Sequence, residues 1–314
     1  MRKTEMLKRF VKLSSRYIQL AGLRVGLKAS AVISPRLAQH WGMRIFAQPA
    51  GPRRIRYDYN QYPPFHSLRW CFQPRHRQQQ QTLQAYGWGQ IDTRPTILLI
   101  HGWGGWGLQM GPFVNALLRQ GLAVITVDMP AHGHSMGRLA TLPLWSEAIE
   151  HLFTLQPNLV GAICHSFGGG ALTYALTHHA RSLSSLRRIA LLGAPADMEL
   201  SLMRFGQALG LSASHTAAIQ RGWEEKLHLP FSTMRVEAAV VPKQVAALLV
   251  YDEDDPVVGL DELARYQRHW PHAQSLMTKK LGHQKILRDP TVIEAVTQFI
   301  SGSDPCTMMH TDAH

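Results

Sequence analysis

The chain has 314 residues, 45% of them hydrophobic, which suits one large folded domain with an extension and excludes a disordered chain. Its net charge of +12 would fit a nucleic-acid binder if it were spread over a face, but residues 1 to 57 hold 13 Lys and Arg against Glu5 alone. The remainder has equal numbers of acids and bases, and the basic residues interleave with an apolar stripe without any recognition motif, so nucleic acid is not expected as a partner.

The cysteines Cys71, Cys164 and Cys306 are odd in number and far apart, with no metal-ligand spacing. A reducing, cytoplasmic location follows as the expectation. No apolar run reaches the ~20 residues needed to span a bilayer, because Arg24 and Lys28 interrupt the stretch from Tyr17 to Ile33.

In chain order, Met6, Phe10, Leu13, Tyr17, Leu20 and Leu27 recur at helical spacing among Lys8, Arg9, Lys12 and Arg16. This predicts a basic amphipathic helix over residues 6 to 33, packed on the main domain, resting on an anionic membrane at the inner membrane surface, or serving as an organelle transit peptide. Residues 1 to 60 form the extension. Residues 51 to 66, rich in Pro, Arg and Tyr, read as a connector.

Leu68 to Phe72 and Thr82 to Trp88, separated by the polar run Arg75 to Gln81, read as a hairpin. From Pro95 the pattern alternates. Apolar strand-like runs at 96–100, 123–127, 159–164, 188–192, 246–251 and 275–278 are interleaved with helix-like stretches at 113–118, 142–155, 169–180, 260–269 and 290–300. Such alternation predicts an α/β fold with a mostly parallel central sheet and helices on both faces, over residues 61 to 301.

About fifty residues, 195 to 245, are too many for a plain connection between two strands. With helices near Glu199 to Leu209 and Ala217 to Leu227 they read as a small helical lid. Met203, Phe205, Leu209 and Leu211 are candidates to line an acyl pocket or simply to pack that lid. Residues 302 to 314 are expected to form a flexible tail.

Chemistry in such sheets gathers at the carboxyl ends of the strands. The one intact G-x-S-x-G, Gly133 to Gly137 around Ser135, is separated from its strand by Asp128 to His132 and is followed by no apolar helix. The pentapeptide works as a strained turn directly joining strand to helix. Ser166 has that setting: the strand Leu159 to Cys164 abuts it and the apolar run Gly169 to Leu176 follows. Ser166 is therefore the expected nucleophile, and Cys164 stands where a small residue is usual.

Serine needs a base within reach, itself held by a third group. The run Asp252-Glu253-Asp254-Asp255 follows one strand and Leu281-Gly282-His283 follows the last. His283 is selected by position, while the acidic run leaves several candidates. The loop His101-Gly102-Trp103-Gly104-Gly105 follows the first parallel strand, and its glycines let backbone N–H groups face a developing oxyanion. The N–H groups of Trp103 and Phe167 are the expected donors.

Taken together, His101 to Gly104, Asp128 to Ser135, Ser166, Asp255 and His283 resemble the successive landmarks of the α/β-hydrolase superfamily from about residue 82 to 301. The resemblance implies that fold, and a serine hydrolase acting on a carboxylic ester or thioester with no cofactor. It favours Asp255 within the acidic run, because the family's acid commonly precedes Pro or a similar turn residue and an apolar pair. It also explains Ser135, since Asp128 to Ser135 resembles the family's D-x-P-G-x-G-x-S loop.

Cys164, Asp252 in place of glycine, and the basic first fifty residues depart from the family pattern. An acyltransferase with the same triad and a non-catalytic binding protein are the alternative readings. Trp106 is a candidate substrate contact beside Trp103, with core packing as its other role. His132 and His134 form an HxH pair without the further ligands of a metal site, and no metal is expected. Cys164 reads as buried packing.

Overall fold

The computed structural model describes residues 22–27, 29–30, 32–49, 59–75, 79–239, 242 and 244–302. Residues 6–21 of the expected helix, residues 51–58 of the connector and residues 303–314 of the tail lie outside the described residues. The chain divides into two compact units, one drawn from Met1–Ala47 with Met198–Thr233 and the other from Gln48–Asp197 with Met234–His314.

The second unit holds an eight-stranded sheet in the order β1-β2-β4-β3-β5-β6-β7-β8. The strands are β1 (His66–Phe72), β2 (Gln81–Trp88), β3 (Thr96–Ile100), β4 (Ala123–Asp128), β5 (Leu159–His165), β6 (Arg188–Leu192), β7 (Ala246–Asp252) and β8 (Gln274–Thr278). β1 and β2 pair as the expected antiparallel hairpin, with Leu68 opposite Ala85, and β2 runs antiparallel to β4. All pairings from β4 through β8 are parallel.

The central strands read as unbroken apolar runs because both faces are covered: all five residues of β3 and all six of β4 are buried. The sheet contributes Ile97, Leu99, Val124, Ile163, Ala190 and Val250 to one core, which Leu117, Val292 and Val296 complete from the helices.

The helices of this unit are α2 (Val114–Arg119), α3 (Leu142–Leu155), α4 (Phe167–His178), α7 (Leu260–His269), α8 (Gly282–Lys285) and α9 (Pro290–Ser301). Their ends follow local chemistry. Thr141 caps α3 by accepting the Leu144 N–H, and Asp289 caps α9 by accepting the N–H groups of Thr291 and Val292. Gly302, at φ +75°, closes α9. The segment predicted to start a helix at residue 169 starts it at Phe167 instead, immediately after Ser166.

The first unit contains α1 (Pro35–Ala47), α5 (Met198–Ala208) and α6 (Ala213–Leu227), with residues 22–27 also helical. Two glycines let α1 and α6 approach closely: a Cβ on Gly42 would stand 2.3 Å from Ile219 Cδ1, and one on Gly222 would stand 2.5 Å from Met43 Sδ. Trp223 Nε1 donates to Met43 O at 3.2 Å across the same contact, and Gln39 Nε2 donates to Ala218 O at 2.7 Å. Phe205 packs edge-on against Phe46, and Leu209 is buried. Among the described residues no helix is long and apolar enough to cross a membrane.

Candidate active site

The three residues singled out for nucleophilic chemistry come from three different loops at the carboxyl ends of parallel strands. Ser166 joins β5 to α4, Asp255 follows β7, and His283 follows β8 within α8. Residues more than a hundred positions apart meet there only because β5, β6, β7 and β8 are consecutive neighbours in the sheet.

Ser166 sits at φ +51° and ψ −125°, a backbone region costly for any residue with a Cβ. The turn is held because everything around it is tight. A Cβ on Gly168 would stand 2.6 Å from His101 O, one on Gly169 2.5 Å from Ala194 Cβ, and one on Gly102 2.8 Å from Ser166 Cβ. Cys164, two residues before the serine, is fully buried in β5, and burial pushes its thiol pKa up.

His283 Nε2 lies 2.9 Å from Ser166 Oγ, and His283 Nδ1 lies 2.7 Å from Asp255 Oδ2. A carboxylate only accepts, so the ring's proton sits on Nδ1 and Nε2 is left to accept the serine O–H. The second oxygen of Asp255 accepts the N–H groups of Val257 and Val258 at 2.8 and 3.1 Å. Burial pushes the Asp255 carboxyl up, but bonding to His283 and to these two amides outweighs it and leaves the carboxyl below the usual aspartate range. Gly193, at φ +54°, makes room for this bond, because a Cβ there would stand 3.2 Å from Asp255 Oδ2.

The acidic run resolves by geometry. Asp252, buried at the end of β7, accepts from Gly282 N at 2.9 Å, Leu281 N at 3.1 Å, Thr278 Oγ1 at 2.8 Å and Asp254 N at 3.0 Å. Burial raises its pKa, and those four donors more than reverse the effect. Asp252 therefore ties the backbone next to His283, while Asp255 holds the imidazole ring. Asp254 accepts from Lys280 N, and Glu253 pairs with Lys279 at the surface.

The loop after β3 forms a tight turn in which Gly105 N donates to Gly102 O at 3.0 Å and Gly104 takes φ +67°. Phe167 opens α4, where helix geometry offers its N–H no carbonyl. Trp103 is 38% exposed, and its ring stands edge-on to Phe167 at 5.5 Å and to His132 at 5.6 Å. Trp106 is partly buried and packs against the sheet core.

Three histidines that sequence reasoning left without a role bracket these groups. His101 Nε2 accepts Met129 N at 3.0 Å and its Nδ1–H donates to Gly102 O at 2.7 Å; His132 Nε2 accepts Gly104 N at 2.9 Å and its Nδ1–H donates to Pro130 O at 3.1 Å. Both tie the glycine turn to the loop after β4. His165, the residue before the serine, donates from Nε2 to His283 O at 2.8 Å, and its ring lies tilted against the His283 ring with centroids 4.6 Å apart. Its Nδ1 is buried without a partner among the described residues.

Burial keeps all three neutral. It holds His101 well below the usual value, with His132 adding to the effect, lowers His132 to about 4, and together with nearby His283 lowers His165 to about 3. The only sequence signal for them is adjacency: each stands one or two residues from a predicted site residue or landmark glycine. With 17 histidines in the chain, that signal could not be separated from chance.

Ser135 is occupied differently. Its hydroxyl donates to Asp128 O and accepts Gln84 N at 2.8 Å, tying the loop after β4 to β2. Asp128 accepts Gly107 N at 2.7 Å and His134 N at 2.8 Å from beneath that loop. Among the described residues, no group of three His, Cys, Asp or Glu side chains could hold a metal ion.

Residues 95–211 match a family model described as the alpha/beta hydrolase fold. Among solved structures, the chain is similar to an esterase of Pyrococcus furiosus at 16% identity and a TM-score of 0.56, covering 81% of this chain and 99% of the esterase. It is similar to the mouse alpha/beta hydrolase domain-containing protein 10 at 14% identity and a TM-score of 0.56, over 79% of this chain and 97% of that one. The thioesterase domain from the curacin biosynthetic pathway aligns at 15% identity and a TM-score of 0.52, over 76% of this chain and all of the domain. No curated protein sequence matches the chain.

Proposed function

We propose that this chain, which has the α/β-hydrolase fold, is a serine hydrolase that cleaves a carboxylic ester or thioester through an acyl-Ser166 intermediate. The observation that carries the reading is the pair of hydrogen bonds running from Asp255 through His283 to a serine on a strained strand-to-helix turn. Esterase and thioesterase among the structural neighbours agree with the substrate class.

In the acylation step Ser166 Oγ attacks the substrate carbonyl carbon while its proton passes to His283 Nε2. The imidazolium so formed is stabilised by the Asp255 carboxylate. The carbonyl oxygen becomes an oxyanion facing the N–H groups of Trp103 and Phe167, each such donor being worth about 3 kcal/mol in the transition state. Collapse expels an alcohol or thiol, which takes the proton from His283. A water then attacks the acyl carbon, giving its proton to the same nitrogen, and collapse breaks the bond to Ser166 Oγ, which takes that proton back as the acid leaves, so the cycle needs no cofactor.

Two neutral histidines keep the glycine turn in register for this step, and His165 keeps the base loop against the nucleophile. The exposed face of Trp103 offers an apolar surface for the acyl group.

Reaction with a fluorophosphonate probe tests the assignment. The folded wild type should label at one site and Ser166→Ala should not; absence of labelling in the wild type, or its persistence in the variant, would overturn it. A chain-length series of acyl esters and thioesters then defines the acyl group. Adding an alcohol acceptor separates hydrolysis from acyl transfer, because a transferase would form a new ester in preference to free acid.

A further inference from the structure

Residues 22 to 49 contain Arg24, Lys28, Arg36 and Arg44 and no acid, and no acidic residue occurs between Glu5 and Asp58. Their apolar side chains divide into two sets. Leu27, Ala38, Met43 and Ala47 are buried, whereas Val25, Val32, Ile33 and Leu37 are exposed, Val32 at 88% and Ile33 at 77%.

Helical residues advance by roughly 100° each, so Val25 and Val32, seven apart, point within about 20° of one another, and Leu27 points to the other side. Ala29 lies between them on the same exposed face. Val25, Ala29 and Val32 thus give the exposed side an apolar component where a surface helix ordinarily carries polar residues. In α1 the exposed Leu37 is flanked by the exposed Arg36 and continued by His40 and Arg44, again without an acid.

We propose that this ridge, Val25, Val32, Ile33 and Leu37 within a cationic surround, is a docking surface for an anionic lipid bilayer. The apolar side chains would enter the boundary between headgroups and acyl chains while the arginines stay at the level of the lipid phosphates. A second copy of the chain is a poorer occupant. Bringing two such faces together would oppose arginine to arginine, with no acid in the segment to relieve the repulsion. Nucleic acid is poorer still, because the outermost side chains are apolar rather than phosphate-binding. Arg24 supports the ridge from beneath, with Nε and Nη2 donating to Ala208 O at 3.0 and 2.7 Å.

The surface is independent of the catalytic reading, and the two can be tested on one sample. Full-length protein is sedimented with vesicles of phosphatidylglycerol mixed with phosphatidylcholine, or of phosphatidylcholine alone, and labelled with fluorophosphonate in parallel. Binding is expected to the anionic vesicles only and to weaken with salt. The double variant Val32→Asp/Ile33→Asp should lower partitioning about tenfold or more while far-ultraviolet circular dichroism and Ser166 labelling stay unchanged.

Equal partitioning of variant and wild type would overturn the proposal. So would a concentration-dependent dimer, seen without vesicles and abolished by the double variant, because it would assign the ridge to a second copy. Loss of labelling with vesicle binding intact would count against the catalytic reading and leave the ridge standing.

Discussion

Two serines in this chain sit in glycine-flanked turns, and they differ in everything except that. Ser135 has the intact pentapeptide, but its hydroxyl is spent on Asp128 O and Gln84 N. Ser166 lacks the first glycine, yet its hydroxyl points to His283 from a backbone no serine adopts without support. The pentapeptide is a proxy for a strand-to-helix junction, and where the two disagree it is the junction that has a histidine within hydrogen-bond reach.

Replacing each serine is the sharpest way to break that contrast. Ser166→Ala should lower kcat by about 10⁶ with little change in thermal midpoint. Ser135→Ala should leave kcat within a few-fold but cost about 1 to 2 kcal/mol in urea unfolding, since it leaves the buried Gln84 N–H unsatisfied. If Ser135→Ala were the inactive variant, the assignment would be reversed.

A second pair of equal substitutions, three residues apart, refines the picture. Asp255→Asn should lower kcat by about 10⁴, as expected when the imidazole loses its orienting carboxylate. Asp252→Asn should act mainly on stability, by about 2 kcal/mol, because it removes a charged acceptor from the backbone beside His283. Kinetics and urea melts on both variants check this, and a larger kinetic loss for Asp252→Asn would exchange their roles.

A smaller effect is expected at the nucleophile's own neighbour. His165→Phe keeps the ring against His283 but loses the donor to His283 O, so kcat should fall by about tenfold to a hundredfold with KM steady. His165→Gln should recover part of it.

A separate effect is expected in the pH dependence of stability. His132 and His165 are neutral in the fold down to about 4 and about 3, whereas unfolded histidine takes its proton near pH 6.5. Between those values the unfolded chain binds more protons. Stability should therefore be full above about pH 6.5 and fall as the pH drops toward 4 and then 3. Urea midpoints across this range should decline less steeply in His165→Gln.

The amino-acid sequence by itself determined the alternation of strands and helices, the junction at Ser166 and the order Ser, Asp, His. All three are local features: apolar periodicity, glycine spacing and position after a strand are written in neighbouring residues. The charge asymmetry was equally legible, being a matter of counting.

Tertiary structure decided which acid of Asp252 to Asp255 faces the histidine ring, since adjacent loop residues point in directions that depend on how β7 and β8 end together. The jobs of His101, His132 and His165 were decided there too, because each bonds backbone supplied by another loop. So was the solvent face of the N-terminal helix: periodicity placed Leu27 on an apolar stripe, but only packing shows Leu27 buried and Val25, Val32 and Ile33 left outside. A sequence records which side chains are apolar, whereas which of them meet water depends on what the rest of the chain brings against them.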